Sequence, residues 1–336
     1  IFGFGNENLH IHHLRVKDVL WAGIRTFSMR GAKIHDCEFI DAGGRWQRGG
    51  IPRVKGGITG GAIFAIWMKD SEIAHNRFTR TKMEKQDEFY GINVRQAKLC
   101  RIDHNTIKVN FSMEFPFEND EDVEIDHNIC HGTISIPKHA GGPVPESGTT
   151  FNLHHNYSTS GYAIEFPRNG IEISHNLFDF TVEKDGGNLI SGFGKAPAKG
   201  PAVFHNNLVN NPGRGVIWIN EPYHHMTVRN NHIITRTTAT PRKDGLFGFN
   251  KECDFSTFRI VDNIIECRGL ARPLFRNDAS YGATIENNSL TNLSDPERYK
   301  NPRTSTTPGL EAPLKFQCGV HRELTVDGWE TRPSNP

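Results

Sequence analysis

The sequence predicts an all-β fold, a solenoid of short strands coiled around one continuous apolar column. The first observation is a recurring phrase, apolar-x-His-Asn. It reads Ile73-Ala74-His75-Asn76, Ile102-Asp103-His104-Asn105, Ile125-Asp126-His127-Asn128, Leu153-His154-His155-Asn156, Ile173-Ser174-His175-Asn176 and Val203-Phe204-His205-Asn206. Weaker copies end at Asn231, Asn263 and Asn288, and two degenerate ones at Leu14 and Cys37. The second is the spacing. Successive copies lie between 20 residues (156 to 176) and 39 residues (37 to 76) apart, the interval of a repeat architecture of ten to eleven rungs. The third is the pattern around each copy. Apolar residues flank the polar pair in alternation, as in Ile125, Ile129 and Cys130, which suits strands broken at Asn. No stretch shows sustained helical periodicity with caps.

Residues 1–40 hold the first two rungs. Residues 41–60 interrupt them with a Gly- and Arg-containing loop, and a polar loop follows at 79–89. Long loops inside a regular solenoid are where function concentrates. Residues 91–200 are the most regular and chemically richest part, and 201–293 continue with weaker ladder residues. From about Ser294 the repeat stops, and Pro296, Pro302, Pro308 and Pro313 read as an extended tail. The expected organisation is therefore one solenoid over 1–293 and a tail over 294–336 that packs on it or caps it. Each rung buries its apolar face against its neighbours. The Asn column bends the chain in the left-handed conformation and hydrogen-bonds from rung to rung.

The apolar-x-His-Asn phrases resemble the right-handed parallel β-helix of the pectate-lyase-like superfamily, in its parallel β-helix repeat branch, over roughly residues 9–293. That superfamily holds polysaccharide lyases, glycoside hydrolases, uronan epimerases and phage tail-spikes, so the resemblance implies carbohydrate chemistry without choosing a reaction. The paired-Asp motif of its polygalacturonase-type hydrolases is absent. So are the Asn-Lys-Ser and Arg-His-Gly phrases of its alginate and chondroitin lyases. No residue is carried over from a subfamily.

Composition narrows the partners. The 336 residues carry a formal net charge of +1, which excludes a nucleic-acid binder that relies on a strong basic field. No apolar run is long enough to span a membrane. There is no initiator Met and no signal peptide, and the chain opens inside a rung, so residues are expected upstream. Six cysteines form no Cys-x-x-Cys pair and read as buried free thiols, although Cys253 and Cys267 fall within one repeat and allow a bridge.

Aligning the rungs on a second strand gathers the chemistry. With Ile92, Met113, Ile134 and Ile164 pointing inward, one outward column is Arg25, Phe64, Asn93, Glu114, Ser135, Glu165, Ser191 and Trp218. Asn220 lies in a second column with Arg95. Glu118, Lys138, His139, Arg168, Lys195, Glu221 and Lys251 follow just past the strand. In this superfamily such a face resembles the groove where a polysaccharide lies. Arg25, Asn93, Glu118, Lys195, Trp218, Asn220, Glu221 and Lys251 are the candidate substrate contacts. The excess of cations in a nearly neutral chain favours an anionic polymer, uronic or sulfated.

Two catalytic sets fit. β-Elimination from a uronic acid needs the substrate carboxylate neutralised, a base for the α-proton and an acid for the leaving oxygen. Lys138 or His139 as base, with Arg95 or Arg168 as neutraliser, completes that set. Glu114 and Glu165 share a Glu-Phe-Pro setting two rungs apart, at a separation suited to inverting hydrolysis. Glu114, Glu118 and Asp120 offer oxygen ligands for Ca²⁺, the one possible cofactor. The recurring histidines occupy one ladder position and read as stacked turn residues without a metal. The expected function is a secreted or periplasmic polysaccharide lyase. An inverting hydrolase is the alternative, and a non-catalytic glycan-binding solenoid the third reading.

Overall fold

In a computed structural model the chain is almost wholly β, with parallel strands stacked coil upon coil as a right-handed parallel β-helix. The structure describes residues 1–19, 22–43, 61–81, 89–107, 111–114, 121–136, 151–164, 170–180, 188–192, 201–213, 215–219, 225–236, 245–249, 253–276 and 282–294. It also describes the strands Arg322–Thr325 and Gly328–Thr331. Two compact units divide the chain. The first comprises Ile1–Phe151 with Tyr162–Glu165, and the second Asn152–Gly161 with Phe166–Pro336.

The described strands of the first unit stack in three columns. The first column stacks Phe2–Phe4, Ile24–Arg30, Ile63–Lys69 and Phe89–Asp103, then Phe111–Glu114, Ile134–Ile136 and Tyr162–Ile164. A second runs through His10–His12, Lys33–His35, Glu72–Ala74, the end of Phe89–Asp103, and Glu121–Asp126. A third, just past the Asn position, runs through Arg15–Lys17, Glu38–Ile40, Arg77–Thr79, Thr106–Ile107 and Ile129–Cys130. The second unit repeats this plan. One of its columns is Asn188–Gly192, Gly215–Ile219 and Phe247–Phe249. Another runs from Ile171–Ser174 through Ala202–His205, Met226–Arg229 and Arg259–Val261 to Thr284–Glu286. The strands Arg322–Thr325 and Gly328–Thr331 pair antiparallel, with Arg322 opposite Thr331.

Alternation fixes the core. Ile24, Ile63 and Ile92 lie in register and are fully buried, as are Ile34, Ile73, Ile102 and Ile125 in the second column. Phe39 stacks on Phe78 with ring centroids 5.0 Å apart. Each such side chain contributes about 1.5–3 kcal/mol by leaving water. Cys37, Cys100, Cys130, Cys253 and Cys267 are buried thiols, so the Cys253–Cys267 bridge that the spacing allows is not formed. Burial pushes the Cys37 thiol pKa up.

The Asn ladder forms, with two corrections. In the second unit, the backbone N and Nδ2 of Asn176 both donate to Oδ1 of Asn207, at 2.9 and 3.0 Å, so the rung residue is Asn207 and not Asn206. Ile173 pairs with Phe204 and Ser174 with His205, which moves the phrase one residue along. The left-handed residue is also not the ladder Asn but the one before it. His75, His104, His127, His155, His175, Asn206, Asn230, Asp262 and Asn287 all have φ between 51° and 58°. The two tasks are split between neighbours: one side chain relieves the backbone bend at the surface, and the next plugs the core with amide hydrogen bonds.

Candidate functional site

The candidate site is the outward face of the first-column strands in the first unit. The register there runs Phe2, Arg25, Phe64, Asn93, Glu114, Ser135, Ala163. Inward neighbours Ile24, Thr26, Ile63, Ala65, Ile92 and Val94 are buried, so strand alternation sends the column outward. The Arg25 guanidinium carbon lies 4.8 Å from the Phe27 ring centre, 5.7 Å from Phe2 and 5.9 Å from Phe64. That of Arg95 lies 5.1 Å from Phe64. Phe64 is fully buried and forms an aromatic floor between two cations. Burial draws the Arg25 pKa below its ordinary value, yet a guanidinium keeps its charge at any physiological pH.

Asn93 occupies the outward column but is fully buried. Gly61 packs against it so closely that an added Cβ would stand 3.0 Å from the Asn93 Cβ. Asn93 is thus closed off from solvent in this conformation. Glu114 ends a strand opposite Asn93 on one side and Ser135 on the other, where the rung alignment put it. The alignment fails at the next rung. Ser135 faces Ala163, and Ile136 faces Ile164, so Ala163 holds the slot expected for Glu165. A slip of two residues keeps every side chain on its face, which is why the hydrophobic pattern could not detect it.

Within the second unit, Trp218 sits between Ser191 and Gly248 in register. Gly248 is obligatory there, because a Cβ would lie 2.5 Å from the indole. Arg276 covers that indole, 4.2 Å from its ring centre. An Arg–aromatic contact therefore occurs in each unit. Lys138, His139, Glu165, Arg168, Glu118, Asp120, Lys195, Asn220, Glu221 and Lys251 lie outside the described residues, as does Cys318.

The histidines form a separate ridge at the left-handed bends. His75 stacks on His104 (4.8 Å between centroids, 22° between planes) and His104 on His127 (5.0 Å, 3°). His104 Nδ1 lies 2.7 Å from Asp103 and His127 Nδ1 2.6 Å from Asp126. Asp126 is fully buried and also accepts from Arg101 at 2.9 and 2.7 Å, which holds the Arg101 guanidinium even more firmly charged than usual. His75, Asp103 and His104 bring ligand-type atoms within 4.8 Å of one another. Near-parallel rings aim their nitrogen lone pairs side by side, so the arrangement fits stacking better than chelation. Among the described residues, no helix is long and apolar enough to cross a membrane.

The rung alignment stopped at Thr26, Ala65 and Arg95 and so missed what lies just beyond. There the same strands pass a bend at Ser28, Trp67 and Gln96, each with φ between 55° and 61°. Trp67 is 52% exposed. An aromatic residue directly after an apolar strand run was the available signal.

Comparison with known proteins adds little to this geometry. No protein-family model matches the chain, and no curated protein sequence does. Among solved structures, it is similar to the tailspike protein of E. coli bacteriophage HK620 in complex with pentasaccharide. The identity is 11% and the TM-score 0.44, over 85% of this chain and 47% of that one. A double mutant of the same tailspike, also with pentasaccharide, matches at 10% identity and a TM-score of 0.43, over 84% and 47%. The chain spans about half the length of these structures.

Proposed function

We propose that the chain cleaves an anionic polysaccharide by β-elimination along the outward face of the first-column strands, and that it belongs to the pectate-lyase-like superfamily. The observation that carries this reading is the pair of guanidinium groups, Arg25 against Phe27 and Arg95 against Phe64, with Arg95 on the strand next to the one that bears Glu114. Planar cations on a rigid sheet suit carboxylate recognition. In the reaction, Arg95 or Arg168 neutralises the uronate carboxylate. Lys138 or His139 removes the α-proton. The electron pair forms the new C=C bond as the glycosidic C–O bond breaks, and the departing oxygen takes a proton from solvent or from the acid of the pair. Calcium belongs to the proposal as an option, held by Glu114, Glu118 and Asp120, and a secreted or periplasmic location goes with the substrate. An inverting hydrolase using Glu114 and Glu165 is the alternative reading, and Glu165 lies outside the described residues.

The test is incubation with polygalacturonate, alginate and chondroitin sulfate, following ultraviolet absorbance and reducing ends together. Elimination gives both signals. New ends without absorbance would overturn it in favour of hydrolysis, and binding without either signal would leave a non-catalytic solenoid. Arg95→Ala is expected to lower kcat/KM by about 10²-fold. Replacing Lys138 and His139 together with Ala should cost about 10³-fold or more. Chelator treatment reads the calcium dependence.

A further inference from the structure

Beyond the bend from that face, three cations stack on consecutive rungs. Arg30 is in register with Lys69, and Lys69 with Lys98. Met29, Met68 and Ala97 point inward between them, so the cations point out. Like charges directly opposite on neighbouring strands repel. The adjoining columns of this unit avoid that. Lys33, Glu72, Arg101 and Glu124 alternate in sign along their register, with contacts of 4.0 Å for Lys33–Glu72 and 3.8 Å for Arg101–Glu124. Arg15, Glu38 and Arg77 alternate as well. In the Arg30 column, Glu7 stands opposite Arg30 and Glu121 opposite Lys98 in register, at the two flanks. Asp70 reaches Arg30 from the side at 3.3 Å.

A second observation falls in the same place. The left-handed residue of this bend is Gly5, Ser28 and Gln96 on the neighbouring rungs, but Trp67 on the middle one. A bulky aromatic is an outlier at φ +57°, and its exposure means that no core packing rewards it. Arg30, Trp67, Lys69 and Lys98 all line one open depression of about 490 Å³. An aromatic plate beside a row of cations at the strand spacing, ~4.8 Å, matches a linear polymer with a flat apolar ring face and regularly placed acidic groups.

We propose that this corner binds an anionic polysaccharide strand, with the Trp67 indole stacking on a sugar ring and Arg30, Lys69 and Lys98 taking successive carboxylate or sulfate groups. The bound anions relieve the repulsion within the column. The site concerns binding alone and stands whether or not the chain cleaves its ligand. Its variants leave Arg25, Arg95 and Glu114 untouched, so a failure here is separable from a failure of the lyase reading.

The experiment is isothermal titration of the full chain with chondroitin sulfate and polygalacturonate oligosaccharides, with neutral dextran and a thymidine oligonucleotide as controls. Lys69→Glu gives the column the alternating signs of its neighbours. It should weaken binding about tenfold or more while raising the melting temperature. Trp67→Ala should weaken it several-fold with the salt dependence unchanged. Lys69→Gln, with folding followed by circular dichroism, stands in if the charge reversal misfolds. The proposal is overturned if both variants bind as the parent does, if no acidic glycan binds, or if dextran or the oligonucleotide binds as tightly.

Discussion

A buried asparagine side chain is costly unless every polar atom finds a partner, and the ladder residues meet that condition. Asn207 donates through Nδ2 to Ile173 O and His205 O at 2.9 Å and to Asn231 Oδ1 at 3.0 Å, while its own Oδ1 accepts from Asn176. Asn207→Ala should therefore cost about 3 kcal/mol, because it strands several buried groups at once. Asn206→Gly, one residue away, should cost no more than about 1 kcal/mol, since it keeps the φ of 52° and loses one part-buried contact, Nδ2 to His175 Nε2 at 3.1 Å. Urea midpoints of the two variants check the contrast. Protonation adds a second residue-scale effect. Burial lowers the His232 pKa, and the Glu266 hydrogen bond only partly opposes it. Burial also lowers that of His175, with His205 and His154 adding to it. An imidazole with a depressed folded pKa gives stability that is complete above its unfolded pKa, about 6.5, and is lost as pH falls below that value. The melting temperature should drop between pH 7.5 and pH 5.5, and His232→Gln should flatten part of the drop. The Glu266 carboxyl is drawn the other way by burial, but its bonds to Arg268 and His232 prevail and lower its pKa, so its contribution fades only at more acidic pH.

At the scale of the strand and its turns, close backbone approach sets the limits. Gly43 has φ +93°, and a Cβ there would meet Ala62 N at 2.2 Å and Tyr90 O at 2.4 Å. Backbone atoms in a hydrogen-bonded coil cannot yield, so Gly43→Ala should destabilise by about 3 kcal/mol, read as a lower denaturation midpoint. The same scale explains what the sequence revealed. Stacked Ile73, Ile102 and Ile125 announce a parallel core because alternation and repeat spacing are periodic properties. The inward or outward sense of Arg25 and Trp218 follows from the same period. Register does not. Placing Ala163 beside Ser135, or Asn207 beside Asn176, requires knowing how many residues each loop absorbs, and intervals of 20 to 39 residues hide that number. The cation column at Arg30, Lys69 and Lys98 was hidden for a related reason. It lies past a bend, where period-two reasoning restarts.

For the molecule as a whole, the described strands of a coil pair with those of the coils before and after it, so stability is close to a sum over neighbours. Excising Asn207–Asn230 joins Asn206 directly to Asn231 and recreates an intact turn, with its left-handed residue followed by its ladder amide. The shortened chain should fold with the parent's circular dichroism band shape and a smaller denaturant m-value, in keeping with the surface removed. Failure to fold would show that the coils are not interchangeable. The ladder also leaves a mark in time. An exposed carboxamide trades its protons with solvent quickly, whereas Asn176, Asn207, Asn231 and Asn263 hold theirs between a neighbouring Oδ1 and main-chain carbonyls. Their exchange must wait for a coil to open. Transferred into heavy water, the protein should keep these side-chain signals in its nuclear magnetic resonance spectrum as long as its slowest backbone amides, turning the column into a built-in clock for the opening of the solenoid.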